Sequence, residues 1–252
     1  MDRSELLALW RREETAPFSG WDFAYLAGRM VEDDPPWDYL ARAAVLMQTA
    51  SSVVDLDTGG GERFLELRPY WPAKVVATEG YPPNFALVEQ RLAPLGVQVL
   101  PVHLTDDAPM PFGDGEFDLV LNRHAAFNPA EVARILAPGG SFLTQQVHGL
   151  WAADLLAAFG ATPQWPDASP EKYVPLLRAA GLAIVDAQDW QGSLRFTDVG
   201  ALVYYLKAVP WLVPGFSVAT QRDALFALQE RLERAGELTF TARKYLIEAR
   251  KE

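Results

Sequence analysis

Hydrophobic residues recur along the chain with two spacings that alternate. Short runs rich in valine, leucine and isoleucine give way to stretches whose hydrophobic residues repeat every three or four positions, so predicted strands alternate with predicted helices. The strands are expected at "SVVDLD", "AKVVATEG", "VQVLPVHL", "FDLVLNRH", "GGSFLTQQV", "LAIVDAQDW" and "ELTFTARKYLIEARK". The helices are expected at "SELLALWRREE", "WDYLARAAVLMQTA", "GERFLELRPY", "NFALVEQRLAPLG", "PAEVARIL", "SPEKYVPLLRAAG" and "QRDALFALQERLERAG".

This alternation predicts an α/β fold, a doubly wound and mostly parallel sheet with helices on both faces. The length of 252 residues fits one domain. Residues 1–50 are expected to form an N-terminal helical lid and residues 51–190 the ligand-binding core. Residues 191–216 read as an irregular, aromatic insertion on the substrate side, and residues 217–252 as a last helix and strand.

Composition narrows the class of protein. The formal net charge is −11 and no run of Lys or Arg occurs, which argues against a nucleic-acid substrate because phosphate binding usually needs a basic face. No apolar run reaches the roughly 18 residues of a membrane span, and the N-terminus lacks the apolar core of a signal peptide. The absence of cysteine excludes disulfides and thiolate chemistry, and three histidines offer little for a metal site. We expect a cytoplasmic protein, monomer or homodimer, without a metal or a membrane partner.

The most informative stretch is "VVDLDTGGGERF", residues 53–64, in which a strand runs into three glycines. In a doubly wound sheet the loop after the first strand is the default ligand site. Glycines there let a ligand approach the main chain, and a tight turn without a ligand is the plainer alternative. A dinucleotide fingerprint fails, because the position of its third glycine is Phe64 and because Glu62 would repel a pyrophosphate. Glu62 would instead suit a cationic ligand.

These residues resemble the class I S-adenosylmethionine-dependent methyltransferases. "VVDLDTGGGERF" is similar to the first motif of that family and "VVATEGYPP" to the second. "DDAPMPFGDGEFDLVLNRHAAF" resembles the third and fourth motifs, and "ARILAPGGSFL" the turn before the fifth strand. The resemblance extends from about residue 50 to the end, where the last strand is expected to be antiparallel. Five motifs in the right order make it specific.

The resemblance implies S-adenosylmethionine as cofactor. It assigns the ribose hydroxyls to Glu79, the adenine face to Tyr81, and the adenine amino group to Asp106, with Asp107 as the alternative. Asp57 departs from the family, which usually has glycine there. Asp tolerates positive φ, so we expect the turn and cofactor binding to be retained, although the extra carboxylate could either strengthen binding or mark a changed site. The full expected cofactor set is Asp55, Asp57, Thr58, Gly59, Gly60, Gly61, Glu79, Gly80, Tyr81, Asp106, Asp107, Asn122 and Arg123.

Catalysis by such a protein requires alignment of the acceptor and, for some acceptors, removal of a proton. His124, at the end of the fourth strand, is the candidate general base, and an ordinary structural hydrogen bond is the alternative. Arg123 could pair with an acidic substrate group or with Glu116 or Asp118. Expected contacts to the substrate are Trp21, Phe23 and His148.

The sequence therefore predicts an enzyme, a methyltransferase that acts on an oxygen or nitrogen atom of a small molecule. An RNA base methyltransferase and a non-catalytic S-adenosylmethionine-binding protein remain as alternatives, because the core motifs do not separate these functions.

Overall fold

A computed structural model of the chain describes residues 1–18, 23–105, 107 and 109–252. Its strands are β1 (Met30–Glu32), β2 (Ser52–Leu56), β3 (Lys74–Thr78), β4 (Gln98–Leu100), β5 (Phe117–Arg123), β6 (Leu136–Val147), β7 (Leu182–Phe196) and β8 (Leu238–Lys251). Its helices are α1 (Arg3–Thr15), α2 (Tyr39–Met47), α3 (Glu62–Glu66), α4 (Pro82–Leu92), α5 (Pro129–Ile135), α6 (Ala153–Ala158), α7 (Pro170–Ala179), α8 (Val199–Ala208) and α9 (Arg222–Ala235).

The strands form one sheet in the order β1-β7-β8-β6-β5-β2-β3-β4. Strands β2 to β6 pair in parallel, and β8 lies antiparallel to β6. The predicted doubly wound, mostly parallel sheet with an antiparallel last strand is confirmed. The strand order reverses at β2, which lies between β3 and β5. Ligands in such sheets bind beyond the carboxyl ends of the strands at this reversal, so the ends of β2 and β5 mark the place to look.

The chain divides into two compact units. The first, here called the sheet unit, consists of Pro36–Val147, Ala168–Asp189 and Lys244–Glu252. The second, the helical unit, consists of Met1–Pro35, His148–Asp167 and Trp190–Arg243.

The core of the sheet unit lies on both faces of the parallel strands. Val54 and Val120 belong to one buried cluster, whereas Val53 and Leu119 belong to another. Successive side chains of a strand point to opposite faces, so these strands are covered on both sides. This double burial explains why their sequences are hydrophobic throughout, and it leaves only the strand ends for polar chemistry.

The helical unit has its own core, in which α1, α8 and α9 contribute Trp10, Leu202 and Leu225. Helix α1 begins with a capping box, because the Asp2 carboxylate accepts from the Glu5 N–H and the Glu5 carboxylate from the Asp2 N–H. None of the helices that the structure describes is long and apolar enough to cross a bilayer.

The prediction of an irregular segment over residues 191–216 is wrong for most of its length. Residues 191–196 complete β7, and α8 follows, with the Asp198 carboxylate accepting from the Ala201 N–H at 2.7 Å. Almost every residue of α8 is buried, so the helix has no polar face and its sequence shows no helical period. The short strand β1 and the helix α6 were not predicted either.

Candidate functional site

The loop after β2 is tied to the end of β3. Asp57 has a φ of 57°, so the turn that usually uses glycine is formed here by aspartate, as the sequence suggested. The Asp57 N–H donates to the Thr78 hydroxyl at 2.9 Å, and the Thr58 N–H donates to the Thr78 carbonyl at 2.8 Å. The two neighbouring strand ends are therefore held together without help from a ligand.

The three glycines of this loop have distinct roles. Gly59 and Gly61 have left-handed φ values of 65° and 79°, and Gly61 directly precedes α3. A Cβ on Gly61 would come within 2.9 Å of Val88, so this glycine also allows α3 to approach α4. A Cβ on Gly60 would overlap the Glu62 carboxylate.

Glu62 itself is paired within the protein. The Arg91 guanidinium donates to the Glu62 carboxylate and to the Gly60 carbonyl. The idea that Glu62 suits a cationic ligand is therefore not supported, because its charge already has a cation. Arg91 instead closes the glycine loop on the side of α4.

Three carboxylates gather at the ends of β2 and β3. Burial raises the pKa of Asp55 to about 7, although Thr58 and Arg123 act in the opposite direction. Burial also raises the pKa of Asp57 and of Glu79, and the Asp57 charge raises the pKa of Glu79 further. Each carboxylate would be stabilised by a cation or a hydrogen-bond donor, so the cluster favours a ligand that brings positive charge and hydroxyl groups.

Glu79 is positioned by the backbone that follows it. Its carboxylate accepts from the Tyr81 N–H at 2.7 Å, and only 4% of the residue is exposed. Gly80 follows, and a Cβ there would come within 2.6 Å of the His103 Cα, so the chain passes too close for any side chain. The Gly80 N–H donates to Asp57 at 3.3 Å, which is the third hydrogen bond between the ends of β2 and β3.

The residues expected around the adenine are more open. Tyr81 is 61% exposed, which leaves its ring accessible to a ligand. Asp107 is also exposed and accepts from the Thr105 hydroxyl at 2.9 Å. Asp106 lies outside the described residues, so its expected contact with the adenine amino group stays a prediction.

Asn122 lies buried near the end of β5. Its Oδ1 accepts from the Thr144 hydroxyl at 2.9 Å and also from the Gln146 amide. Its Nδ2 finds no partner among the residues that the structure describes. A buried N–H without an acceptor is costly, so this amide is suited to receive an acceptor from a bound molecule.

Arg123 follows on the opposite side of the strand. Among the described residues its guanidinium forms no ion pair, including none with Glu116 or Asp118, the partners considered from the sequence. Burial and then the charge of Arg63 lower the pKa of Arg123, whereas Tyr39 and Asp55 oppose this shift. Arg123 therefore provides a positive charge that is only partly compensated.

His124 comes directly after β5 with a φ of 61°. Its backbone N–H donates to the Gln145 carbonyl at 2.8 Å, and its Nε2 lies 3.1 Å from the Gln145 side-chain nitrogen. Burial, followed by the positive charges of Arg123 and Lys244, holds the pKa of His124 well below the usual range. Part of the residue is solvent-exposed, which moderates the effect of burial, but both cations act in the same direction. The neutral form of the ring is therefore favoured.

Two of the expected substrate residues, Phe23 and His148, belong to the helical unit. Trp21 is outside the described residues. Phe23 packs against Phe18 and Tyr205, with ring centroids 5.2 and 5.6 Å apart, inside the helical unit. His148 is buried, and its Nδ1 accepts from the Leu150 N–H at 2.9 Å. Their part in substrate binding stays a prediction.

Sequence reasoning missed the residues that hold this site in place. Thr78 anchors the loop after β2, and Gln145 anchors His124. Trp37, before α2, donates to Gln145 at 2.8 Å. A threonine at a strand end gives a weak signal, and a contact between residues 37 and 145 gives none.

Comparison with known proteins places this site in a family. Residues 54–144, from β2 to β6, match the family model of the methyltransferase domain. This segment of the chain therefore resembles a methyltransferase domain. The match agrees with the predicted S-adenosylmethionine-dependent methyltransferase family and with S-adenosylmethionine as its cofactor.

Individual relatives agree with this domain. Demethylmenaquinone methyltransferase of Thermus thermophilus is 32% identical over 115 residues, which cover 42% of this chain and 52% of the relative. This chain thus spans about half the length of that curated relative.

Solved structures extend the likeness in fold. The YcgJ protein of Bacillus subtilis has a TM-score of 0.60 at 18% identity, covering 85% of this chain and 98% of its own. A functionally unknown protein of Deinococcus radiodurans R1 has a TM-score of 0.59 at 15% identity and covers 99% of both chains. At these identities the likeness shows the fold alone.

Proposed function

We propose that the chain is an S-adenosylmethionine-dependent methyltransferase whose acceptor is an oxygen or nitrogen atom of a small molecule. The observation that carries the proposal is the cluster of Asp55, Asp57 and Glu79 beside the glycine loop. All three carboxylates are destabilised by burial in the protein alone, and a ligand with an ammonium group and ribose hydroxyls supplies what they lack.

Within the site, Glu79 would accept the ribose hydroxyls, and the exposed ring of Tyr81 would lie against the adenine. Asp55 and Asp57 would face the amino-acid end of the cofactor. The bound cofactor supplies the transferable methyl group as a sulfonium. The protein then has to orient the acceptor, for which the end of β5 provides Asn122, Arg123 and His124.

A small-molecule acceptor is supported by two observations. The net charge of −11 disfavours an RNA substrate. The curated relative from Thermus is named for a small acceptor, demethylmenaquinone. An RNA base methyltransferase would instead bind RNA tightly at low salt, with an affinity that falls steeply as salt is added, and a filter-binding assay measures this.

The cofactor site is tested by calorimetry with S-adenosylhomocysteine. We expect binding by the wild type and a loss of about 100-fold or more in Glu79→Ala, because two hydroxyl donors would lose a charged acceptor. Glu89→Ala, which removes an exposed carboxylate from α4, is the matched control and should bind normally. No heat and no thermal shift for the wild type at millimolar ligand would end the proposal.

Catalysis is tested separately, by incubating the protein with methyl-labelled S-adenosylmethionine and a metabolite extract. We expect a labelled small product. Cofactor binding without any labelled product would favour the non-catalytic binding protein.

A further inference from the structure

The His124 ring is held on one side by a single residue of the neighbouring strand. Gln145, on β6, accepts from the His124 backbone N–H and also places its side-chain amide 3.1 Å from the ring Nε2. The left-handed φ of His124 turns the chain so that both contacts can form. A non-glycine residue in this conformation is strained, and such strain persists where the surrounding structure fixes it.

The orientation of the Gln145 amide follows from Trp37. An indole N–H can only donate, so the atom that lies 2.8 Å from the Trp37 Nε1 must be the Gln145 oxygen. The amide nitrogen therefore faces His124. Because an amide nitrogen can only donate, the His124 Nε2 is the acceptor and carries no proton.

The protonation of the other ring nitrogen, Nδ1, follows from this assignment. In a neutral imidazole one nitrogen carries the proton, so this ring carries it on Nδ1. No described residue accepts a hydrogen bond from Nδ1. The charged groups that act on the ring are Arg123 on β5 and Lys244 on β8, and both disfavour a second proton. With one lone pair engaged and the other nitrogen protonated, the ring has no free site at which to act as a base.

We propose that His124 donates a hydrogen bond through Nδ1–H to an oxygen atom of the methyl acceptor, with Gln145 and Trp37 as positioning residues. This inference rests on the proposed methyltransferase function and changes the role expected for His124 from base to donor. The acceptor class is a molecule with an anionic oxygen, such as an enolate, phenolate or carboxylate, which Arg123 would also favour. Methylation of such an oxygen forms the O–C bond, breaks the S–C bond and cancels one charge of each sign, so no proton has to leave.

The tautomer can be measured without any methylation. Long-range ¹H–¹⁵N spectra of protein with ¹⁵N-labelled histidine, recorded from acidic to alkaline pH, should show His124 as the Nδ1–H tautomer at neutral pH. Gln145→Glu keeps an oxygen for Trp37 and places a carboxylate against Nε2, so it should convert the ring to the doubly protonated form at neutral pH. Gln90→Glu adds the same charge on an exposed face of α4 and should change nothing. A wild-type ring protonated on Nε2 would overturn the inference.

The donor role of His124 is tested by the transfer of label from methyl-labelled S-adenosylmethionine to a metabolite extract. His124→Ala should lower the rate about 100-fold, the usual effect of losing one donor aimed at a reacting oxygen. His124→Asn supplies an N–H, tolerates the positive φ and cannot act as a base, so it should retain the rate to within about tenfold. Equal loss in both variants, with S-adenosylhomocysteine binding intact, would overturn the donor role. A wild type that transfers no label would overturn the proposed function, whereas the tautomer would still be decided by the spectra.

Discussion

The two edges of the parallel strands in the sheet unit differ in how their charged groups are paired. At the amino edge, where the strands begin, Asp118 accepts from the Ser51 N–H, the Ser52 N–H and the Ser52 hydroxyl. Lys74 pairs with Glu116 at 2.7 Å, and this contact lowers the pKa of Glu116. Both carboxylates therefore have hydrogen-bond or ion-pair partners within the protein.

At the carboxyl edge the pKa shifts disfavour the charged form of each group, which is the opposite of the shift of Glu116 at the amino edge. The pKa values of Asp55, Asp57 and Glu79 are raised, and those of Arg123 and His124 are lowered. Each group is less stable in its charged form than it would be in water. The left-handed residues Asp57 and His124 also lie here.

In this sheet the charged groups that stabilise the fold therefore lie at the amino edge, and the groups available to a ligand lie at the carboxyl edge. Perturbed pKa values and backbone strain collect where ligands bind, because groups left unsatisfied by the protein are the ones that a ligand can satisfy. Substitutions at the amino edge should lower stability, whereas substitutions that remove charge or strain from the carboxyl edge should raise it.

The largest effect is expected for Asp118→Ala at the amino edge. It leaves two backbone N–H groups and a hydroxyl without their acceptor, which should lower the free energy of unfolding by about 3 kcal/mol. Urea denaturation measures the change. S-adenosylhomocysteine affinity should stay the same in the folded variant, and a weakened affinity would show that the edges are not independent.

Asp55→Asn at the carboxyl edge should act in the opposite direction. The pKa of Asp55 is higher in the folded than in the unfolded chain, so its contribution to stability falls as pH rises from about 4 to about 7 and is constant above. Asparagine removes this loss of roughly 4 kcal/mol but buries a polar amide in its place, so we expect the variant to be more stable than wild type by about 2 kcal/mol at pH 8. The difference should vanish near pH 4. A variant that is less stable at pH 8 would contradict the assignment.

Asp57→Gly should give a smaller gain. It relieves a left-handed aspartate and removes a buried carboxylate beside Glu79, but it also leaves the Gly80 N–H without its acceptor, so stability should rise by no more than about 1 kcal/mol. Affinity for S-adenosylhomocysteine should fall a few-fold, since a charge that attracts its ammonium is lost. Thermal melts and calorimetry on the same sample test both changes. Higher affinity would mean that Asp57 opposes the cofactor.

The smallest effect concerns protons released on binding. A cation placed against carboxylates with raised pKa values should displace a fraction of a proton. Affinity should therefore increase about threefold for each unit by which the pH is raised, up to pH 7. Calorimetry in buffers with different ionisation enthalpies measures the release directly. Heat that is identical in all buffers would place the ammonium away from this cluster.

Much of this organisation could be predicted from local sequence. The alternating strands, the glycine loop and the tolerance of Asp57 for positive φ follow from residue types over a few positions, and the structure agrees. The contacts of His124 could not be predicted, because Trp37 and Gln145 meet only after the sheet has formed. Helix α8 was missed because a helix buried on all sides loses the periodicity by which helices are recognised.

The division of the chain has a consequence for how it folds. The chain passes between the sheet unit and the helical unit at five points, so neither unit is a continuous stretch of sequence. Strand β8 pairs with β6 across about a hundred intervening residues, and such distant pairings must wait for large loops to close. Folding should therefore be slow and concerted, and a fragment cut from the middle of the chain would lack part of both units.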